Sequence, residues 1–299
     1  MTPRGKRIGL AVWRPIERRA AGVYFAGPEL SDAVASADRI AERGYGVLLG
    51  FWNADGADPR EVTRENLAAL AALTARGHDR YLSVKAPALD YSLDLVRRIA
   101  SEHPDVLHFD SHGCEAAEQT LALAAAASEE HPSVGVTIPG RWRRSPSDAE
   151  RAVELGLRVR VVKGEWADPD QPDLDMHDGF LAVVDRLAGR GRHVSVATHD
   201  PDLAREALRR LAATGTPHDV ELLLGLPFAR IAAVAMEAGL PARVYVPYGH
   251  ASLRYGLGYL RRNPRRVWWL ARDLLFRKRR ATPPPYRGAT EMRSRSSPV

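Results

Sequence analysis

A handful of short stretches end on side chains that can do chemistry. They are LSVKAPA with Lys85, HFDSH with Asp110 and His112, RVRVVKGEW with Arg160, Lys163 and Glu165, VATHD with Thr198, His199 and Asp200, VELLLG with Glu221, and RVYVPYG with Tyr245 and Tyr248. Lys85 and Asp110, from neighbouring segments, can pair and so hold an acid group or manage a proton. Arg160, Lys163 and His199 make a cationic cluster beside Gly164, suited to a phosphate-bearing or electron-rich cofactor. Any one of these residues is equally what the wet rim of an enzyme scaffold carries. As a set they point to an enzyme that binds an anionic cofactor.

The elements that must position them are legible as an alternation. β-Branched or leucine-rich runs recur at 45–52, 81–88, 105–112, 133–140, 158–166, 193–200, 220–225 and 243–249. Helical patterns such as DPREVTRENLAALAALTARG lie between them, opened by N-cap candidates Asp58, Ser145 and Asp200 and closed near Gly77, Gly156 and Gly215. Strands alternating with helices make parallel βαβ units, and eight of them in about 220 residues predict a closed (β/α)8 barrel of the TIM type. No G-x-G-x-x-G follows the first strand, which argues against an open dinucleotide-binding sheet. In a barrel the chemistry gathers at the carboxyl ends of the strands, and the residues named above fall there, with Pro139 at the end of the fourth. The expected division is an N-terminal extension over 1–30, a barrel with cofactor-binding and catalytic residues over 31–280, and a basic tail over 281–299.

Composition bounds the rest. The chain has 299 residues, 45% hydrophobic and 27% charged, with a single cysteine, Cys114. One cysteine excludes an internal disulfide framework and, without a neighbouring ligand, a zinc site; no metal is expected, and a reducing cytoplasm fits. No apolar run reaches the roughly 18 residues that a membrane-spanning helix needs. The net charge of +6 is unevenly placed: residues 261–299 hold twelve Lys/Arg against Asp273 and Glu291, whereas the preceding body is slightly acidic. From Thr282 onward the chain is rich in Pro, Ser and Arg, the composition of a disordered tail. The stretch RRVWWLARDLLFRKRRA, with Trp268, Trp269, Leu270, Leu274, Leu275 and Phe276, has two readings. It packs as the barrel's last helix, or it makes peripheral contact with an anionic membrane surface. No nucleic-acid partner is expected, since charge alone would support it.

The motifs resemble those of the proline dehydrogenase family. RVRVVKGEW is similar to the family's R-L-V-K-G-A-Y-W, VATHD to its A-T-H-N, RVYVPYG to its V-Y-V-P-Y-G, LSVKAPAL to its strand-two V-K-L, and FDSHGCEAAEQTL to its I-D-x-E segment. All five occur in the family's order, over about residues 30–275. The resemblance implies a distorted (β/α)8 barrel binding FAD, which takes a hydride equivalent from the carbon beside a secondary amine and passes electrons to a quinone. It places Arg160 beside the flavin N5, Lys163, Gly164, Thr198 and His199 against the FAD, Lys85 by the substrate carboxylate with Asp110 holding it, and Tyr245 in the substrate pocket.

The departures lie mostly on the substrate side. The family clamps the substrate carboxylate with an adjacent arginine pair on the helix after strand eight, but Gly258 and Tyr259 stand at those positions. Arg261 and Arg262 come three residues later, on nearly the same helical face but about 4.5 Å along the axis. They and Tyr259 remain the substrate-side candidates there, with Arg265 and Arg266 further away. Trp166, Pro139 and His112 also replace family residues, and Asp200 replaces an asparagine. Three functions stay open: an FAD-dependent dehydrogenase acting on proline or another secondary amine or imino acid, a flavin-binding homologue without turnover, and a flavin-free lyase or hydrolase using Lys85 and Asp110.

Overall fold

The computed structural model describes residues 24–250 and 285–286. Helix α1 (Leu30–Ala41) precedes the first strand. There follow β1 (Gly46–Trp52), α2 (Pro59–Ala75), β2 (Tyr81–Val84), α3 (Leu93–Ala100), β3 (Val106–Phe109), α4 (Ala117–Ser128), β4 (Val134–Pro139) and α5 (Ser145–Glu154). Then come β5 (Arg158–Val162), α6 (Met176–Leu187), β6 (Val194–Ala197), α7 (Pro201–Ala213), β7 (His218–Leu223), α8 (Ala229–Glu237) and β8 (Ala242–Gly249). The eight strands close in sequence order into one parallel barrel, with β1 pairing β8 from Gly46↔Arg243 to Trp52↔Gly249. The (β/α)8 barrel expected from the alternation is the fold. Helix α1 packs on β8 and β1 and covers the seam where the barrel closes.

The strands obey a two-residue period with opposite chemistry on the two faces. Val47 and Leu49, Leu82 and Val84, Leu107 and Phe109, Val134 and Val136, Val159 and Val161, Val194 and Val196, Val220 and Leu222, and Val244 and Val246 join the helices in one continuous apolar layer. The intervening residues face the barrel axis, and few are aliphatic: Ser83, His108, Arg160, Ser195, Asp219 and Glu221 are buried, and Thr137 is half-buried. Barrel interiors are usually packed with Val, Ile and Leu. Here Leu48, Tyr81 and Val106 form only a small separate apolar cluster, so the interior must be held by hydrogen bonds and ion pairs.

Local signals explain most element ends. The Asp58 carboxylate accepts from the Arg60 backbone N–H at 2.9 Å, capping α2, and Asp200 caps α7 through the Asp202 and Leu203 N–H groups. Ser145 corrects the expected cap: it is the first residue of α5, and its hydroxyl donates to the Pro139 carbonyl at 2.5 Å, tying the helix start to the end of β4. Gly77, Gly156 and Gly215 have φ of 66, 64 and 67°, the left-handed termination that glycine takes without steric cost.

The helical layer is stitched by arginine–carboxylate pairs between consecutive helices or their ends: Arg76–Asp38, Arg97–Glu130, Arg144 and Arg151 with Glu118, Arg186–Glu150 and Arg210–Asp185. They are largely exposed and screened by solvent, so each adds little to stability. Tyr286 is buried against α1's end: its N–H donates to the Arg43 carbonyl at 2.6 Å, its hydroxyl donates to the Leu240 carbonyl, and its ring centroid lies 4.9 Å from that of Tyr45. An anchored residue therefore falls inside the 281–299 segment expected to be a free tail. Apart from Pro285, the remainder of that segment lies outside the described residues, as do 1–23 and the 251–284 stretch with Gly258, Tyr259, Arg261, Arg262 and the tryptophan-arginine segment.

Candidate active site

The barrel axis is occupied by Arg160. It stands on β5, paired in register with Thr137 on β4 and Ser195 on β6, and is 3% exposed. Its Nε donates to Glu221 Oε2 at 2.5 Å, and its Nη1 donates to Asp110 Oδ1 at 2.9 Å, with longer contacts to Thr137 and Ser83. Its Nη2 is buried without a hydrogen-bond partner among the described residues. Burial alone would weaken the guanidinium's hold on its proton, but Glu221, Tyr81 and Asp110 outweigh it and hold the pKa above the usual arginine value.

A ring of polar groups runs behind this arginine. Tyr81 donates to Glu221 Oε1 at 2.9 Å, so its oxygen is left to accept from His108 Nδ1 at 3.3 Å. The Thr137 hydroxyl has one proton, better placed on His108 Nε2 at 2.8 Å than on Asp110 Oδ1 at 3.2 Å. These contacts assign His108 as the neutral Nδ1–H tautomer. Desolvation, with Arg160 and Arg158 nearby, keeps it so, well below the ordinary histidine pKa. Gly135, opposite His108 in the ladder, makes room for the ring: a Cβ there would sit 2.5 Å from Nδ1.

Toward the carboxyl ends, β1, β2, β3 and β8 meet around Lys85. Its ammonium donates to the Phe51 carbonyl at 2.9 Å and lies 4.2 Å from the centroid of the Trp52 ring. Desolvation pulls its pKa down to about 8, against the opposing pull of Asp110. The direct Lys85–Asp110 pair expected from sequence is replaced: Arg160 takes Asp110 Oδ1, and the Tyr245 hydroxyl donates to Asp110 Oδ2 at 2.9 Å. A guanidinium with several fixed donors competes better for a buried carboxylate than a single ammonium. Burial would raise the Asp110 pKa, but Arg160 and Lys85 hold it below the ordinary value. Trp52 Nε1 donates to the Tyr245 oxygen at 3.2 Å, and Phe25 packs edge-on against Trp52 at 5.4 Å. Across the mouth His112 stacks on Trp166 at 5.7 Å. Tyr248, placed on the rim by its position, instead belongs to the apolar layer beneath the helices, fully buried and 5.4 Å from Phe51.

The other expected contacts gather at the ends of β5 and β6. Lys163 donates to Asp200 Oδ2 at 2.9 Å, both about a third exposed, while Asp200 Oδ1 caps α7. Thr198 is buried, with its hydroxyl accepting from the Asp200 N–H at 3.2 Å. His199 corrects the expected cationic cluster. Its Nε2 accepts from the Leu223 N–H at 3.0 Å, so Nδ1 carries the proton to the Pro227 carbonyl at 3.1 Å, and burial lowers its pKa. The ring is neutral at pH 7, and the positive charge comes from Arg160 and Lys163. Gly164 has φ of 90°, and a Cβ there would meet Pro139 Cβ at 2.6 Å, so only glycine fits beside the end of β4.

No family model matches the chain. Among curated proteins it is 25% identical over 279 residues to Proline dehydrogenase 1 of Bacillus subtilis subsp. natto, covering 86% of this chain and 91% of that protein. Proline dehydrogenase 1 of B. subtilis strain 168 matches at the same identity and coverage. These likenesses support reading the chain as a divergent relative of the proline dehydrogenases. Solved structures agree on the fold. The proline utilization A protein of Bdellovibrio bacteriovorus superposes with a TM-score of 0.65 at 14% identity, covering 85% of this chain and 32% of that one. A bifunctional proline utilization A protein does so with a TM-score of 0.59 at 20% identity, covering 90% of this chain. The chain spans about a third of the length of these structural neighbours, covering 32% and 33% of them.

Sequence reading missed the roles of Trp52, Tyr81, His108 and Thr137, and saw Glu221 only as a rim carboxylate. A signal existed. In YLSVK, VLHFD, VTIP, VRVV and DVELL a polar residue recurs every second position against aliphatic neighbours, and all those polar residues share the barrel axis.

Proposed function

We propose that the protein is an FAD-dependent oxidoreductase of the proline dehydrogenase type, oxidising proline or a related secondary amine or imino acid and delivering electrons to a quinone-like acceptor. The observation that carries this is Arg160: a guanidinium fixed by two carboxylates in the barrel mouth, with one buried Nη2 left to donate. An unpartnered buried donor is costly unless a ligand accepts from it, and an electron-rich ring with carbonyl and imine acceptors fits. Lys163, Gly164, Thr198 and His199 sit at the neighbouring strand ends, where they would hold the rest of the cofactor. Bound FAD would supply the acceptor for the hydride that leaves the carbon beside the amine nitrogen.

The chain's own groups would do the binding and orienting. Lys85, mostly protonated at neutral pH with a pKa of about 8, offers a cation to a substrate carboxylate, steadied by Phe51 and the Trp52 face. Asp110 is held ionised by Arg160 and Tyr245, so it serves as a fixed negative charge for an amine rather than as a proton carrier. Tyr245 and Trp52, hydrogen-bonded to each other beside Lys85 and Asp110, would face the substrate. Such positioning of the donor C–H is what the protein contributes to a flavin reaction.

The test is reconstitution. The full chain incubated with FAD and freed of excess should retain it, and Lys163→Met should weaken retention by removing a charge near an anionic cofactor. A chain that cannot be loaded with FAD under any refolding condition contradicts the assignment.

A further inference from the structure

We infer that Glu221 is a positioning residue that sets the electrical character of Arg160 toward the bound cofactor, a role that rests on the FAD assignment above. The geometry is specific. Glu221 is 2% exposed and spends both oxygens inside the barrel, Oε2 on Arg160 Nε at 2.5 Å and Oε1 on the Tyr81 hydroxyl at 2.9 Å. Asp110 holds Nη1 from the opposite side at 2.9 Å. With Nε and Nη1 occupied, the planar guanidinium has one orientation, and Nη2 is the donor left for a ligand.

The charge count follows. Arg160, Asp110 and Glu221 together carry one net negative charge, although a lone arginine at this place would be positive. A positive group beside a flavin favours the reduced, more negative ring, and a buried carboxylate behind that group subtracts from the effect. Glu221 thus orients the arginine and tempers its pull. Tyr81 adjusts this in turn, since its hydroxyl proton disperses the carboxylate charge.

The test is the midpoint potential of flavin bound to the full chain, measured anaerobically against reference dyes for the unaltered protein, Glu221→Gln and Tyr81→Phe. The glutamine keeps the shape and removes the charge. It should raise the potential, with the reduced over oxidised preference at least tenfold greater, about 30 mV for a two-electron couple. Tyr81→Phe removes a hydrogen-bond donor from Glu221 and should shift the potential the other way, so it decides the matter if Glu221→Gln fails to fold. A merely structural glutamate would lower thermal stability and leave the potential where it was. Bound flavin with unchanged potentials in the variants that fold, or a fall in Glu221→Gln, overturns the inference while the FAD assignment stands. Failure of the unaltered protein to bind flavin overturns both.

Discussion

Tyr245 on β8 reaches across the barrel mouth to Asp110 at the end of β3, its hydroxyl donating to Oδ2 at 2.9 Å. The reach depends on β1, which lies between them at Gly50: a Cβ there would fall on the Tyr245 hydroxyl. Tyr245 therefore leans over a strand that carries no side chain on that face. Hydrogen bonds to charged groups contribute about 1.5–3 kcal/mol, so Tyr245→Phe should lower kcat/KM by roughly 10- to 100-fold if the bond orients Asp110 for catalysis. Gly50→Ala should give the same defect by displacing the ring. Steady-state kinetics beside a thermal melt check this, since both variants should fold with near-normal circular dichroism.

Lys85 provides a pH signature. Its pKa of about 8 means that the cation proposed to meet a substrate carboxylate is lost as pH rises past that value. The profile of kcat/KM against pH should therefore fall on the alkaline side with an apparent pKa near 8. Trp52→Leu removes the ring face that steadies the ammonium, so that limb should move to lower pH. Lys85→Arg should push it beyond the measurable range. An alkaline limb that is identical in all three proteins would assign the titration to another group.

The buried triad of Arg160, Asp110 and Glu221 also has a stability signature. Removing one partner of a buried ion pair leaves an uncompensated charge and costs roughly 3–5 kcal/mol. Arg160→Met should thus lower the melting temperature by about 10 °C, at 2–4 °C per kcal/mol for a chain of this size. Arg160→Met combined with Glu221→Gln should recover part of the loss. Simple additivity in this cycle would show that the two side chains are not coupled.

Two neutral histidines predict acid sensitivity. His108 and His199 have folded-state pKa values below the ordinary 6.5, so the unfolded chain binds more protons as pH falls through about 6.5. Stability is complete above that value and declines below it, with a limiting slope of about 1.4 kcal/mol per pH unit for each group. Urea midpoints from about pH 7.5 to about pH 5.5 should fall, and His108→Gln should flatten the decline. The variant will be less stable at neutral pH, so the slope and not the absolute value is the readout.

The barrel was legible because eight aliphatic runs, each with a helix-period stretch behind it, leave little topological choice. The site was legible in part, through residues that stand at strand ends within a few positions of each other. Pairings between distant strands were not. Arg160 and Glu221 lie 61 residues apart, and nothing local says that Glu221 displaces solvent as the partner of Nε. The Lys85–Asp110 pairing drawn from proximity lost to a guanidinium reaching from β5. His199 looked cationic beside Lys163, yet Pro227 and Leu223, brought in by β7 and its following loop, fix it as neutral. Trp52 closed an apolar run and gave no sign that its ring would cover Lys85. Tyr248 could have been placed correctly, because three residues from Tyr245 on a strand is the opposite face.

Anaerobic absorption spectroscopy of the FAD-loaded protein tests the central claim most directly. On addition of proline or another cyclic secondary amine acid, the flavin band should bleach, and a quinone analogue should restore it. A loaded protein whose band stays unchanged across proline and a panel of secondary amines, with the flavin still reducible by dithionite, would contradict the oxidoreductase assignment and leave a flavin-binding protein without turnover.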